Sequence, residues 1–419
     1  MNIAIVGAGV IGVTTAYELA SDGHRVTLFE RHGSVAAETS FANAGVVAPG
    51  YVTPWAAPGM PGKVLSYLLR RHAPVKLRWP LSAAEIAWGW RWWRACDAQT
   101  YARNRAHMQR LALYSRERLH RLSAEEHLEY ERSEGYLVLL RSERDRALAQ
   151  PGLQLLRDAG IRFAEMDAAQ ARRVEPALNP DTDFAGAIHL PDDEVGNCRQ
   201  FTVLLRERAR ALGVTFNFDA PVARLAASPE PTLWLAAQEA AQRFDAVVVC
   251  AGLHSAALLR PLGLRLPLAA VHGYSVSARI REPLNAPRSA VMDERFKVAI
   301  SRLGQRVRVA GSAELGGAPG ALRDDTLRTL YKVLQDWFPG AADFANGVQE
   351  WKGARPMLPD GPPLIGPSGL SGIWLNLGHG SSGWALACGS ARALADRIAG
   401  RTPEIDLEGL GVERLGLRI

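Results

Sequence analysis

The chain opens with Met1-Asn2-Ile3-Ala4-Ile5-Val6-Gly7-Ala8-Gly9-Val10-Ile11-Gly12, and its architecture follows from how this stretch is built. Residues 2–6 are apolar apart from Asn2, the mark of a strand buried on both faces. Residues 10–19 carry helical spacing, with Gly23 as a C-terminal stop. Residues 24–29 (HRVTLF) read as a second strand, closed by Glu30. A Gly-x-Gly-x-x-Gly run alone is a weak signal; set between a strand and a helix it is a strong one. Gly7, Gly9 and Gly12 allow a tight turn, close approach of backbone to a pyrophosphate, and close helix–strand packing. The helix N-terminus at Val10 and Ile11 offers free N–H groups and a positive dipole end to the phosphates. Glu30 stands roughly 20 residues on, where an acid takes ribose hydroxyls and disfavours a 2′-phosphate. These residues predict a dinucleotide site for FAD or NAD rather than NADP.

The 419 residues exceed one simple core at the usual ~150 residues per domain, so two lobes are expected. A composition of 47% hydrophobic and 22% charged residues excludes disordered and collagen-like classes. The net charge of +6 is modest, and no clustered basic stripe or nucleic-acid motif accompanies it. Weak attraction to an anionic membrane stays open. Cys96, Cys198, Cys250 and Cys388 lie far apart with no CxxC, so neither a disulfide framework nor a metal site is expected, and a cytoplasmic location fits. The first apolar run has no basic leader and serves as a strand, which argues against a signal peptide. No run of about 18 apolar residues predicts a transmembrane helix.

Three nucleotide-type segments alternate with two of other character. The first is 1–50. The second, 197–262, holds a helix at 201–212 and a very apolar strand at 244–250 ending in Ala251-Gly252. The third, 352–419, holds a strand at 373–377, a Gly378–Gly383 loop and a helix at 384–398, with Gly400 at its end. Between them, 51–196 is helix-rich, with helices at 83–94 and 102–121 and a strand at 135–140. The segment 263–351 is strand-rich, with runs at 271–280, 289–293, 297–302 and 306–310 spaced like an antiparallel sheet, and a helix at 326–338. The expected fold is α/β plus α+β: a Rossmann-like, discontinuous dinucleotide domain (1–50, 197–262, 352–419) with an inserted substrate domain (51–196, 263–351) on an antiparallel sheet.

Several runs then point to a family. Glu38-Thr39-Ser40-Phe41-Ala42-Asn43-Ala44-Gly45, Pro49-Gly50-Tyr51 and Pro54-Trp55-Ala56-Ala57-Pro58-Gly59 resemble the D-amino-acid dehydrogenase small-subunit family, within the larger glycine, sarcosine and D-amino-acid oxidase group. The resemblance continues through His272-Gly273-Tyr274-Ser275, through residues 353–361 (GARPMLPDG), and through 375–380 (LNLGHG), Gly383-Trp384 and 387–390 (ACGS). It implies a non-covalent FAD enzyme that oxidises D-amino acids to imino acids by hydride transfer from Cα to flavin N5. Water then releases 2-oxo acids and ammonia, and electrons pass to a quinone-type acceptor. Two departures bear on substrate preference: His272 stands where the family more often has Lys, and Ser381-Ser382 where many relatives have Thr-Leu.

Arg355 is the leading candidate at the substrate, because a guanidinium engages a carboxylate through two parallel charge-assisted hydrogen bonds. Tyr274 offers a phenol to the same carboxylate, with a core tyrosine as the alternative. Tyr51 and His379 are weaker candidates. Backbone N–H groups around Gly378, Gly380, Ser381 and Ser382 are expected at the flavin edge that gains negative charge, the alternative being a plain glycine turn with a serine N-cap. Ser40, Asn43, Ala44 and Gly45 suit a loop beside the pyrophosphate and the ring. Arg31, Val222, Ala251 and Gly252 are placed near the dinucleotide. Trp88, Trp90, Trp92 and Trp93 with Arg91 and Arg94 allow an interfacial helix on the cytoplasmic face of a membrane holding the quinone; packing into the inserted domain is the favoured reading. The other readings are an oxygen-using glycine- or sarcosine-type oxidase, a dehydrogenase for D-proline-like substrates, and a non-catalytic FAD-binding scaffold subunit.

Overall fold

The computed structural model describes residues 1–67, 72–317 and 320–416, so the last three residues of the segment expected at 352–419 lie outside the described residues. Six strands form the first sheet, in the order Leu364–Pro367, Ile373–Leu377, Ala246–Val249, Asn2–Val6, Arg25–Phe29, Thr215–Asn217. All neighbours are parallel except the first pair. The run 2–6 lies at its centre, which explains its apolarity on both faces. Ile3 and Ile5 pack with Val13, Leu111, Phe201 and Leu386 of the covering helices. Ala4 and Val6 face the other way, onto Leu233, Val247, Leu258 and Leu377.

The second sheet has eleven strands. Its middle runs Gln349–Met357, Ala269–Ile280, Arg306–Gly316, Val298–Leu303, Ala290–Asp293, Ser133–Leu140, Gly186–Val195. Pairing within it is mostly antiparallel, with Ala290–Asp293 parallel to Ser133–Leu140. Helix Asp324–Trp337 covers one face, burying Leu327, Leu330, Val333 and Trp337 on Tyr274, Val276, Val307 and Val309. The other face carries the small residues Gly273, Ala299, Ala310 and Ser312, which line a cavity between the two sheets.

Two strands cross the expected boundaries. Val46–Val47 pairs with Gly186–Val195, and Gln349–Met357 pairs with Ala269–Ile280, so residues 46–47 and 352–357 belong to the second sheet. The helix expected at 102–121 spans Ala98–Glu125 and packs on helix Gly383–Ile398, with Met108, Leu111, Ala112, Leu119 and Leu122 in the core of the first sheet. A Cβ on Gly389 would meet the Ser115 backbone nitrogen at 2.9 Å, so glycine there permits the close crossing of these helices. Helix Glu143–Asp158 and the small sheet of Val222–Ala226, Thr232–Leu235 and Gln242–Arg243 carry no pattern that the sequence reading singled out.

Candidate active site

The cavity measures about 1410 Å³, above the ~300–1,000 Å³ of ordinary small-molecule pockets. One end is made by the opening turn. Gly7 sits at φ +103°, and a Cβ there would meet the Cys250 carbonyl oxygen at 2.7 Å. A Cβ on Gly12 would land on the Gly7 carbonyl oxygen. Gly9 differs: its Cβ would meet only Ser40 Oγ, at an ordinary 3.4 Å, and otherwise project into open space beside the cavity. Helix Val10–Ser21 has no acidic residue in its first turn. The Val10 N–H donates to Ser40 Oγ at 3.0 Å, while those of Ile11 and Gly12 reach no protein acceptor among the described residues. A bare helix N-terminus with a slot cleared by glycine suits a pyrophosphate, so the residues present fit FAD.

Glu30 is buried at the cavity wall, where its carboxylate accepts from the Ala8 N–H at 2.7 Å and the His32 N–H at 2.9 Å. Arg31 lines the same end, paired with Glu38 and His254. Val222, Ala251 and Gly252 line it too, as do Ser40, Asn43, Ala44 and Gly45 farther along. The Gly378–Gly383 loop closes the middle of the cavity. Gly380–Ser382 forms one 3-10 turn leading into helix Gly383–Ile398. Ser382 is not a side-chain cap; its N–H turns back to the His379 carbonyl at 3.1 Å.

Arg355 stands at the other end. Its strand lies beside Ala269–Ile280, and its guanidinium passes directly over Gly273, where any side chain would collide with it. Nη1 donates to the Ser312 carbonyl at 2.9 Å, and Cζ lies 5.5 Å from the centre of the Trp55 ring. No carboxylate pairs with it among the described residues, and burial pushes it down to about 10, so it stays charged at neutral pH. A desolvated cation at a cavity wall without a counter-ion is a receptor for an anion.

The other three substrate candidates are differently disposed. Tyr274 is not a free donor to the cavity. Its hydroxyl donates to the buried Glu314 at 3.0 Å, and its ring packs in the core under helix Asp324–Trp337. Glu314 also takes Lys352 at 2.8 Å and Arg78 at 3.1 Å. The cause is alternation along the strand: Gly273 faces the guanidinium, so Tyr274 faces the opposite side. Tyr51 lines the cavity, but its hydroxyl donates to Glu294, which also pairs with Lys297. His379 turns its ring into the helix, with Nε2 donating to Ser390 Oγ at 2.9 Å while that hydroxyl donates to the Leu386 carbonyl. It lies on the cavity lining, and burial pushes it down to about 3, which keeps it neutral.

Sequence reasoning passed over Trp55, Gly273, Ser312, Glu294 and Lys297, all on the cavity wall. The runs containing Trp55 and Gly273 were the only signal, and they marked the neighbourhood rather than the roles. Among the described residues no group of His, Cys, Asp and Glu could hold a metal.

The sequence matches the FAD dependent oxidoreductase (DAO) family over residues 2–397. The D-amino acid dehydrogenase of Cereibacter sphaeroides is 44% identical over 99% of this chain and 95% of that protein. Its namesake in Rhizorhabdus wittichii is 43% identical over 99% of this chain and 100% of its own length. Glycine oxidase from Geobacillus kaustophilus shares the fold at a TM-score of 0.74, with 21% identity over 98% of each chain. By near full-length similarity, the chain belongs to the FAD dependent oxidoreductase family, on the branch whose curated members are named D-amino acid dehydrogenase.

Proposed function

We propose that this chain carries out oxidative deamination of D-amino acids, giving 2-oxo acids and ammonia. The observation that carries the reading is the half-buried guanidinium of Arg355, without a carboxylate partner among the described residues, on the cavity wall away from the glycine turn. It grips the substrate carboxylate, and Gly273 leaves the space in which the grip is made. Trp55 flanks the guanidinium, its ring centre 5.5 Å from Cζ, within reach of a cation–π contact. Bound FAD supplies the two-electron acceptor, chemistry that no side chain of the cavity provides. No side chain is needed as a general base if the amine arrives neutral. The imino acid that leaves adds water and splits into 2-oxo acid and ammonia, so atoms balance without a further reagent.

The electron acceptor in this reading is a quinone, reached at a membrane surface. Helix Ala83–Arg94 buries Trp88, whose Nε1 donates to the Met357 carbonyl at 2.9 Å. It leaves Trp90 56% and Trp93 53% exposed, their rings edge to face at 4.9 Å. Ile86 of the same helix is exposed, as are Leu65 and Trp79 on preceding stretches, and Arg91 and Arg94 flank the two tryptophans in the helix. Exposed tryptophans flanked by cations suit an interface with anionic lipid. No helix among the described residues is long and apolar enough to cross a membrane. The test is a screen of D- and L-amino acids with a quinone or dye acceptor. D-selective dye reduction with little hydrogen peroxide supports the proposal. Stoichiometric peroxide makes the protein an oxidase, and turnover of no amino acid makes it a scaffold.

A further inference from the structure

The cavity wall at residues 43–45 is tied to its surroundings through its carbonyl groups. Arg308 Nη1 donates to the Asn43 carbonyl at 2.9 Å, and Ser301 Oγ to the Ala44 carbonyl at 2.8 Å. The Gly45 carbonyl accepts from Trp384 Nε1 at 3.1 Å and from the Gly196 N–H at 2.8 Å. A trans peptide sets its N–H opposite its C=O. With the Asn43 carbonyl aimed at Arg308, the Ala44 N–H is aimed the other way. It donates to no protein acceptor among the described residues, whereas the Gly45 N–H is spent on Asn43 Oδ1 at 3.0 Å. Asn43 and Ala44 both line the cavity.

Arg308 is the unusual member of this clamp. It is 4% exposed, donates through Nε to Ser277 Oγ at 2.8 Å, and forms no ion pair among the described residues. Burial, then the neighbouring Arg306, push it down to about 10, with Arg199 acting in the same direction and Cys198 and Glu131 against it. It therefore remains a cation at neutral pH, unneutralised, one peptide away from the cavity. Such a group is costly to bury. It does in a fixed place what preorganised dipoles do at sites where negative charge develops: the peptide carries its field through to the opposite N–H.

We propose that Arg308 is a positioning residue for the redox group. From behind residues 43–45 it holds the Ala44 N–H as a donor into the cavity and supplies a positive field that favours the reduced, negatively charged flavin. This rests on the reading of this cavity as the FAD site.

Sulfite adds as an anion to oxidised flavins whose surroundings favour negative charge, so it probes the field without substrate or turnover. The experiment is sulfite titration of purified holoenzyme, with FAD content read first from the absorption spectrum. Arg308→Met is expected to keep FAD and weaken sulfite binding at least tenfold, with the two-electron potential falling by ~30 mV for each tenfold. Arg308→Lys keeps the charge but lacks the planar fork, and an intermediate loss is expected. Ser301→Ala cuts a neighbouring tether without touching charge, and less than a threefold change is expected. Sulfite affinity within twofold of wild type in both Arg308 variants overturns the proposal. So does loss equal to that of Arg308→Met in Ser301→Ala, which would make tethering alone the cause. If Arg308→Met does not hold FAD, Arg308→Gln, which removes the charge but keeps an N–H donor for the Asn43 carbonyl, decides: weakened sulfite binding supports the proposal and wild-type affinity overturns it. A wild-type chain that binds no FAD defeats the underlying reading before sulfite is added.

Discussion

The two ends of the cavity are built from different materials. The dinucleotide end is backbone: Gly7 and Gly12 let the turn close tightly, Gly9 leaves open space beside the cavity, and the N–H groups of Ile11 and Gly12 reach no protein acceptor among the described residues. The substrate end is side chain, and its parts come from strands far apart in sequence. Arg355 lies over Gly273 and donates to Ser312, with Trp55 beside it. A backbone site is local, so one contiguous run specifies it. A side-chain site depends on strand register and on which way each residue faces.

The contrast breaks most visibly at Gly12. Gly12→Val forces a branched side chain onto the Gly7 carbonyl, so FAD should be absent from the purified variant, read as loss of the visible flavin spectrum. Arg355→Ala should act the opposite way. FAD content stays at wild type while kcat/KM falls by the equivalent of about 2–5 kcal/mol, the usual cost of removing one partner of a buried charge pair. Loss of FAD in Arg355→Ala, or retained FAD in Gly12→Val, would erase the distinction between the two ends.

His379 sharpens the comparison through pH. Its folded value of about 3 lies below the ordinary 6.5. Between those values the unfolded chain binds more protons than the folded one, so stability rises with pH across the window and is lost as pH falls below about 6.5. His379→Gln should therefore show a flatter Tm profile between pH 6.5 and about 4 than wild type. A parallel profile would mean that the ring is not buried neutral. Tyr274→Phe should lower stability by about 1.5–3 kcal/mol, the worth of a hydrogen bond to a charged group. Its kcat/KM should change far less than that of Arg355→Ala, since the hydroxyl serves Glu314. A fall as large as that of Arg355→Ala would put the phenol back at the substrate. The smallest effect is expected for Trp90→Ser with Trp93→Ser: unchanged dye reduction, and weaker co-sedimentation with anionic vesicles. Equal partitioning of variant and wild type would remove helix Ala83–Arg94 from the surface.

The sequence made the first sheet legible because each of its elements obeys a local rule. The strand 2–6 is apolar on both faces, its turn is marked by glycines, and the strands at 244–250 and 373–377 end in the same small-residue turns. The helix expected at 102–121 reads as part of the inserted domain but packs on the first sheet's side, because its periodicity shows a buried stripe without showing what buries it. Arg355 could be singled out from its motif, whereas Tyr274 in an equally marked motif faces away from the guanidinium. Their difference is which side of the strand each takes, and a register shift between His272 and Tyr274 makes that side hard to count from sequence. Arg308 carried no signal at all: a charged residue in a strand reads as solvated, and only the fold shows it buried behind residues 43–45.

Catalysis here requires a substrate carboxylate held by Arg355 in reach of the flavin, and anaerobic titration of the holoenzyme is the direct test. D-Alanine added without any acceptor should bleach the visible flavin band in wild type, L-alanine should not, and Arg355→Ala should need far more D-alanine for the same bleaching. A flavin band that D-alanine leaves untouched, or that bleaches equally in the Arg355 variant, would contradict it.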